Sequence, residues 1–159
     1  MPQSFLCETP EATRAQAREL ARTLTSPTVV ALYGDLGAGK TLFTQALARA
    51  LGVTEPVTSP TFTLINEYEL PDGGRLFHVD VYRLHDAAPE AVALGLEDLF
   101  DEGIVVIEWA DRIADILPAE RIDVHFGHAG EGRRRITINT ALKKDDWNAE
   151  KAEKADLRR

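Results

Sequence analysis

The segment TVVALY at 28–33 runs directly into Gly34-Asp35-Leu36-Gly37-Ala38-Gly39-Lys40-Thr41. The first six residues form an apolar run without alternation, as expected of a strand buried on both faces of a parallel sheet. The next eight fit G-x-x-x-x-G-K-[ST]. They open a stretch of helical character from Lys40 to Leu51, with Gly52 as its C-cap. Strand, glycine loop and helix are the context this phosphate-binding motif requires. Gly37, Ala38 and Gly39 let successive N–H groups turn toward one anion, and the helix N-terminus adds positive potential. From there Lys40 reaches β- and γ-phosphates, and the Thr41 hydroxyl is placed to ligate Mg²⁺. The alternative is a plain glycine turn, which strand and helix flanks of this kind disfavour.

Working outward, the same alternation of elements continues. Ser4–Cys7 reads as a short strand. Thr9 then caps a helix with Pro10 at its first position, and Ala17, Leu20, Ala21 and Leu24 lie on one face to about Leu24. Thr61 to Leu70 and Arg75 to Tyr82 alternate around Pro71-Asp72-Gly73-Gly74, which predicts an antiparallel hairpin. Short helices are expected from Pro89 to Leu94, around Leu96 to Phe100, and from Ala110 to Leu117. IVVI at 104–107 is a second continuous buried strand. Ile122–Phe126 and Arg135–Thr140 make a closing hairpin across Gly130-Glu131-Gly132. The expected architecture is a single α/β domain over 1–142, a P-loop NTPase with a mixed central sheet flanked by helices. A charged tail at 143–159, helical or disordered, follows it.

Composition bounds the function. The chain has 159 residues, of which 44% are hydrophobic, enough for one core and a squeeze for two. Its 18 basic and 26 acidic residues give −8, so a uniformly basic nucleic-acid surface is excluded. Cys7 is the only cysteine, which leaves no intrachain disulfide and no cysteine zinc site. His78, His85, His125 and His128 show no zinc-ligand spacing and read as surface or network histidines. The N-terminus lacks a basic segment followed by a long apolar one. The longest apolar run, Val29–Tyr33, is far below the roughly 20 residues that span a bilayer. A reduced cytoplasmic protein with no membrane association is expected. Lys40 is the only lysine before residue 143, against eleven arginines there, so the compact ammonium stands where a phosphate loop needs it.

A P-loop needs an acid on a neighbouring strand. Glu108 ends IVVIE, a Walker B pattern with Glu for the usual Asp, and could hold Mg²⁺ directly, hold it through water, or polarise an attacking water. Asp80, within HVDVYR at 78–83, is the second acid. Alternation with Val79 and Val81 puts it on the face away from the core, at a site or in solvent. Ser59-Pro60-Thr61 offers hydroxyls that could sense a γ-phosphate. No N-K-x-D or D-x-x-G run occurs, which disfavours a GTPase. A metabolite kinase needs an arginine-bearing lid, and the candidate lid at 86–101 has no Arg or Lys.

Taken together, GDLGAGKT at 34–41, SPTFTL at 59–64, HVDVYRL at 78–84 and Glu108-Trp109 after IVVI resemble the TsaE family, over roughly residues 5–140. The resemblance implies a small ATPase that binds and hydrolyses ATP with Mg²⁺. It also implies association with TsaB and TsaD, which transfer threonylcarbamoyl to adenosine 37 of tRNA (t6A). Contact with tRNA would then be only indirect, through that complex, and the ATPase would support its repeated turnover. Carried over by residue, Lys40 and Thr41 match the phosphate and metal positions and Glu108 the Walker B acid. Asp80 matches the acid essential for hydrolysis, and Trp109 the aromatic beside the nucleotide. The segment near Thr9 and Gly132-Arg133 resembles the part around adenine. Leu42 is grouped with the nucleotide contacts, although the family often has a second Thr there. Three functional readings follow: a partner-stimulated ATPase of the t6A machinery, a small-molecule kinase, and a nucleotide-dependent scaffold. Arg83, Arg112 and Arg133 are candidates for a transition-state charge, and sequence places none of them at a γ-phosphate.

Overall fold

The computed structural model describes residues 2–35, 39–60 and 63–140. Gly37 and Ala38 of the loop, Thr61, and the 143–159 tail lie outside the described residues. Seven strands form one sheet: β1 (Gln3–Cys7), β2 (Thr28–Tyr33), β3 (Ile65–Glu69), β4 (Arg75–Asp80), β5 (Ile104–Glu108), β6 (Ile122–His128) and β7 (Arg134–Thr140). Their order is β1-β7-β6-β2-β5-β4-β3. Parallel pairing joins β6, β2, β5 and β4, while β1·β7, β6·β7 and β3·β4 are antiparallel. The mixed sheet and both expected hairpins are therefore present.

Continuous apolar strands sit in the middle because both of their faces are covered. On one face, α1 (Pro10–Ala21) and α2 (Lys40–Leu51) pack over Val30, Leu32, Val106 and Val124. On the other, α3 (Ala87–Ala93), α4 (Leu96–Leu99) and a 3-10 helix (Ala110–Ile116) cover Val29, Ala31, Val105 and Ile107. The segment considered as a lid, 86–101, is thus part of the packed core: Ala87, Ala91 and Leu96 are buried.

Local chemistry sets the element ends. Thr9 Oγ1 accepts from the Ala12 N–H at 3.1 Å and starts α1 behind Pro10. That helix stops at Ala21 rather than near Leu24, because the Thr23 hydroxyl and N–H both turn back to the Leu20 carbonyl. Gly52, at φ +104°, closes α2 with its N–H on the Arg49 carbonyl. α3 begins at Ala87, two residues before Pro89, because the Glu90 carboxylate reaches back to the Asp86 N–H at 2.8 Å. β4 ends at Asp80 rather than Tyr82, because Asp80 Oδ1 takes the Tyr82 N–H at 2.9 Å and bends the chain. β3 starts at Ile65, directly after Leu64 at φ +65°.

One expectation about β4 is corrected. Asp80 does not face away from the core on an open strand. β4 lies between β3 and β5, and Leu76, Phe77, His78 and Val79 are all buried, so its alternation sorts two covered faces. Asp80 is half-buried at the strand end.

Candidate functional site

The parallel strands bring their carboxyl ends to one edge, where ligands bind in open α/β sheets. Leu32 of β2 and Asp80 of β4 both pair with Glu108 of β5. Side chains two apart share a strand face, so His78, Asp80 and Glu108 all point to the side covered by α2, which begins at Lys40. A cleft of about 330 Å³ opens there, lined by Gly39, Lys40, Thr41, Leu42, Asp80, Glu108 and Trp109 together with Asp35, Ser59 and Tyr82. Arg133 does not line it. It lies on the turn between β6 and β7, with its guanidinium 3.9 Å from Glu8. That contact brings Arg133 and the segment beside Thr9 to a common edge of the sheet.

The helix start is built to receive an anion. Gly39 holds the N-cap position at φ +94°, and no side chain bonds the free N–H groups of the first turn. The Lys40 ammonium bonds the carbonyl of Gly34 and, at 3.1 Å, that of Asp35. It also lies 3.8 Å from the centroid of the Trp109 ring. Burial holds its pKa below the usual lysine value, against the opposing pull of Glu108, Asp80, Asp111 and Asp35.

The acids are held unequally. Glu108 is 3% exposed, and each oxygen has its own donor: the Thr41 hydroxyl at 3.2 Å on Oε1 and His78 Nε2 at 2.5 Å on Oε2. Asp80 takes the N–H of Tyr82, from its own turn, on Oδ1. Burial, with the neighbouring Glu108 charge, raises its pKa above the ordinary aspartate value. Oxygen donors from Thr41 and two carboxylates suit Mg²⁺. Among the described residues no three His, Cys, Asp or Glu side chains cluster to hold a metal unaided.

Three residues take parts here other than those read from the sequence: Tyr82 was not singled out, His78 was read as a surface or network histidine, and Arg112 as a candidate transition-state charge. Tyr82 packs against Trp109, ring centroids 4.8 Å apart and planes tilted by 37°, and lines the cleft. His78 is fully buried behind Glu108. Arg112 donates to the carbonyls of Val81, Tyr82 and Leu84, tying the turn after Asp80 to the helix after Glu108. Its guanidinium is thereby committed to backbone, which removes it as a source of transition-state charge in this arrangement. Leu64 and Trp109, the two non-glycine residues with positive φ among the described residues, flank the same edge. Leu64 takes the Asp80 N–H on its carbonyl, and Trp109 follows Glu108 at φ +63°. A bulky side chain in that region of backbone space carries a cost, and such costs concentrate at functional sites.

Comparison with known proteins decides the family. Residues 7–136 match the model of the threonylcarbamoyl adenosine biosynthesis protein TsaE. This chain belongs to the TsaE family. It is 44% identical over 133 residues to the tRNA threonylcarbamoyladenosine biosynthesis protein TsaE of Bacillus subtilis, covering 81% of this chain and 80% of that one. It is 45% identical over 138 residues to the Aquifex aeolicus protein of the same name, covering 84% and 92%. The crystal structure of YdiB from Bacillus subtilis superposes with a TM-score of 0.77 at 35% identity, over 98% of this chain and 97% of that one. The YdiB structure thus shares the α/β fold, and the TsaE relatives align over about four fifths of this chain.

Proposed function

We propose that this protein binds and hydrolyses ATP with Mg²⁺ in support of the t6A37 modification of tRNA, acting with TsaB and TsaD and touching tRNA only through them. Family membership supports the assignment to threonylcarbamoyladenosine biosynthesis. The observation that carries the chemistry is the Thr41–Glu108 hydrogen bond beside the buried Lys40, at the start of a helix whose first N–H groups have no side-chain cap. When bound, Mg²⁺ would supply charge neutralisation between β- and γ-phosphate oxygens. The chain's own residues do the rest. Lys40 exchanges its backbone carbonyls for phosphate oxygens, and the α2 N-terminus carries part of their charge. Thr41 and Glu108 are the residues that would hold the cation. Asp80, half-buried at the strand end with its proton affinity raised by burial, is the better placed of the two acids to orient water and accept its proton. Gly39, Leu42 and Trp109 line the nucleotide's path, and Arg133 with the Thr9 segment stands toward the base.

The test is product analysis with [γ-³²P]ATP. ADP and free phosphate are expected, and both should be lost in Lys40→Ala. A phosphorylated metabolite would replace this reading with a kinase. An ATP-dependent association with partners that persists without any turnover would replace it with a scaffold.

A further inference from the structure

The His78–Glu108 pair is not used by the motif reading, yet it is the most deeply buried polar contact beside the cleft. His78 is 0% exposed, and its Nε2 lies 2.5 Å from Glu108 Oε2. A carboxylate oxygen only accepts, so Nε2 carries the proton and donates. The other nitrogen, Nδ1, is buried with no hydrogen-bond partner among the described residues. A buried polar atom left so carries a cost, which marks this histidine as held for something other than packing. The register explains the reach: His78 pairs with Val106, and Glu108 is two residues further along the same face of the neighbouring strand. Glu108 is therefore gripped from behind by imidazole, and its other oxygen is turned to Thr41 and the cleft.

We propose that His78 is a positioning residue for Glu108, fixing the carboxylate in the rotamer that presents Oε1 toward Thr41 and a divalent cation. The proposal rests on the reading of Glu108 as a cation-holding acid and names what orients it. Ligating carboxylates are held in turn by hydrogen bonds, and loss of such a partner costs on the order of 10–100-fold in metal affinity. Glutamine can set an amide N–H where Nε2 stands. Asparagine is one methylene short and reaches only the Nδ1 position.

Calorimetry of ADP binding, with and without Mn²⁺, tests this in wild type, His78→Asn, His78→Gln and Glu108→Gln. The Mn²⁺-dependent gain in ADP affinity should fall at least about tenfold in His78→Asn. It should largely return in His78→Gln, with metal-free ADP affinity unchanged in both. Nitrogen-15 NMR of the imidazole in the metal-free, nucleotide-free wild type should show Nε2 protonated. Equal loss in the Asn and Gln variants, retention of the gain in both, or a ring whose Nε2 carries no proton would each overturn the positioning role. A gain that survives intact in Glu108→Gln would instead overturn the reading of Glu108 itself.

Discussion

Lys40 holds an ammonium against two carbonyls and an aromatic face, partners that a phosphate can outbid because it meets the ammonium with a full negative charge where they offer only a dipole or a quadrupole. Lys40→Ala should abolish measurable ATP binding by calorimetry while the melting temperature stays near that of wild type. The two acids should behave differently. Alanine at either Asp80 or Glu108 should depress phosphate release, but only Glu108→Ala should move the Mg²⁺ midpoint of that activity. The raised pKa of Asp80 has a signed consequence for stability. The folded state holds this proton more tightly than the unfolded one, so stability contributed by the group is lost as pH rises through the folded pKa. Asp80→Asn should therefore melt higher than wild type at pH 7, and the gap should close as pH falls below the ordinary aspartate range. An unchanged gap across that window would remove the burial argument. At this scale Lys40, Thr41 and Glu108 were legible because motif spacing and a strand end carry them. His78 was not, since its role depends on β4 lying beside β5, and sequence order does not reveal that pairing. The one signal was Leu76 on the same parity as His78 and Asp80, an apolar residue on what an open hairpin would expose.

Elements were readable wherever the chain supplies its own punctuation. The bounds of β2 and α2 follow from TVVALY and from the glycines at either end of the helix. Limits were missed where a side chain overrides the pattern, as Thr23 does after α1 and Asp80 does after β4. The stretch after Trp109 forms a 3-10 helix kinked at Ile113 where helical spacing alone suggested an ordinary short helix. Gly52 provides the sharpest test at this scale. A Cβ there would stand 2.5 Å from Pro71 Cγ, and φ is +104° besides. Gly52→Ala should destabilise by at least about 1–2 kcal/mol from the left-handed backbone alone, seen as a fall of several degrees in Tm. Thr9→Ala, which removes only the cap bond, should cost about 1 kcal/mol.

For the molecule as a whole, charge and topology matter more than any one contact. Alternating strands and helices were enough to specify an α/β sheet. The insertion of β2 between β5 and β6 was not readable, because crossovers leave no local mark. With −8 overall, the isolated protein should not bind tRNA near physiological salt in a gel-shift assay. The shortage of fixed positive charge also bears on rate. Lys40 lines the cleft, Arg112 is committed to carbonyls, and neither Arg83 nor Arg133 is among the lining residues. P-loop enzymes gain about 10³–10⁵-fold when an arginine arrives. Phosphate release from the lone protein should accordingly be slow and should accelerate in the reconstituted complex. Equal rates would remove that coupling.

The guanidinium of Arg112 has a kinetic consequence. By gripping three carbonyls of the chain just after Asp80 from the chain just after Glu108, it joins two loops that would otherwise fray separately. Val81 adds a weak bond of its own, its N–H meeting the Glu108 carbonyl at 3.4 Å. These loops should therefore open to solvent as one cooperative unit, with a single free energy of opening. Native-state amide exchange would report it: protection at Leu84 and at Arg112 should fall together with added denaturant. Arg112→Lys keeps the charge but cannot span a fork of three acceptors. It should split the unit in two, so that the carboxylate bearers breathe on separate clocks.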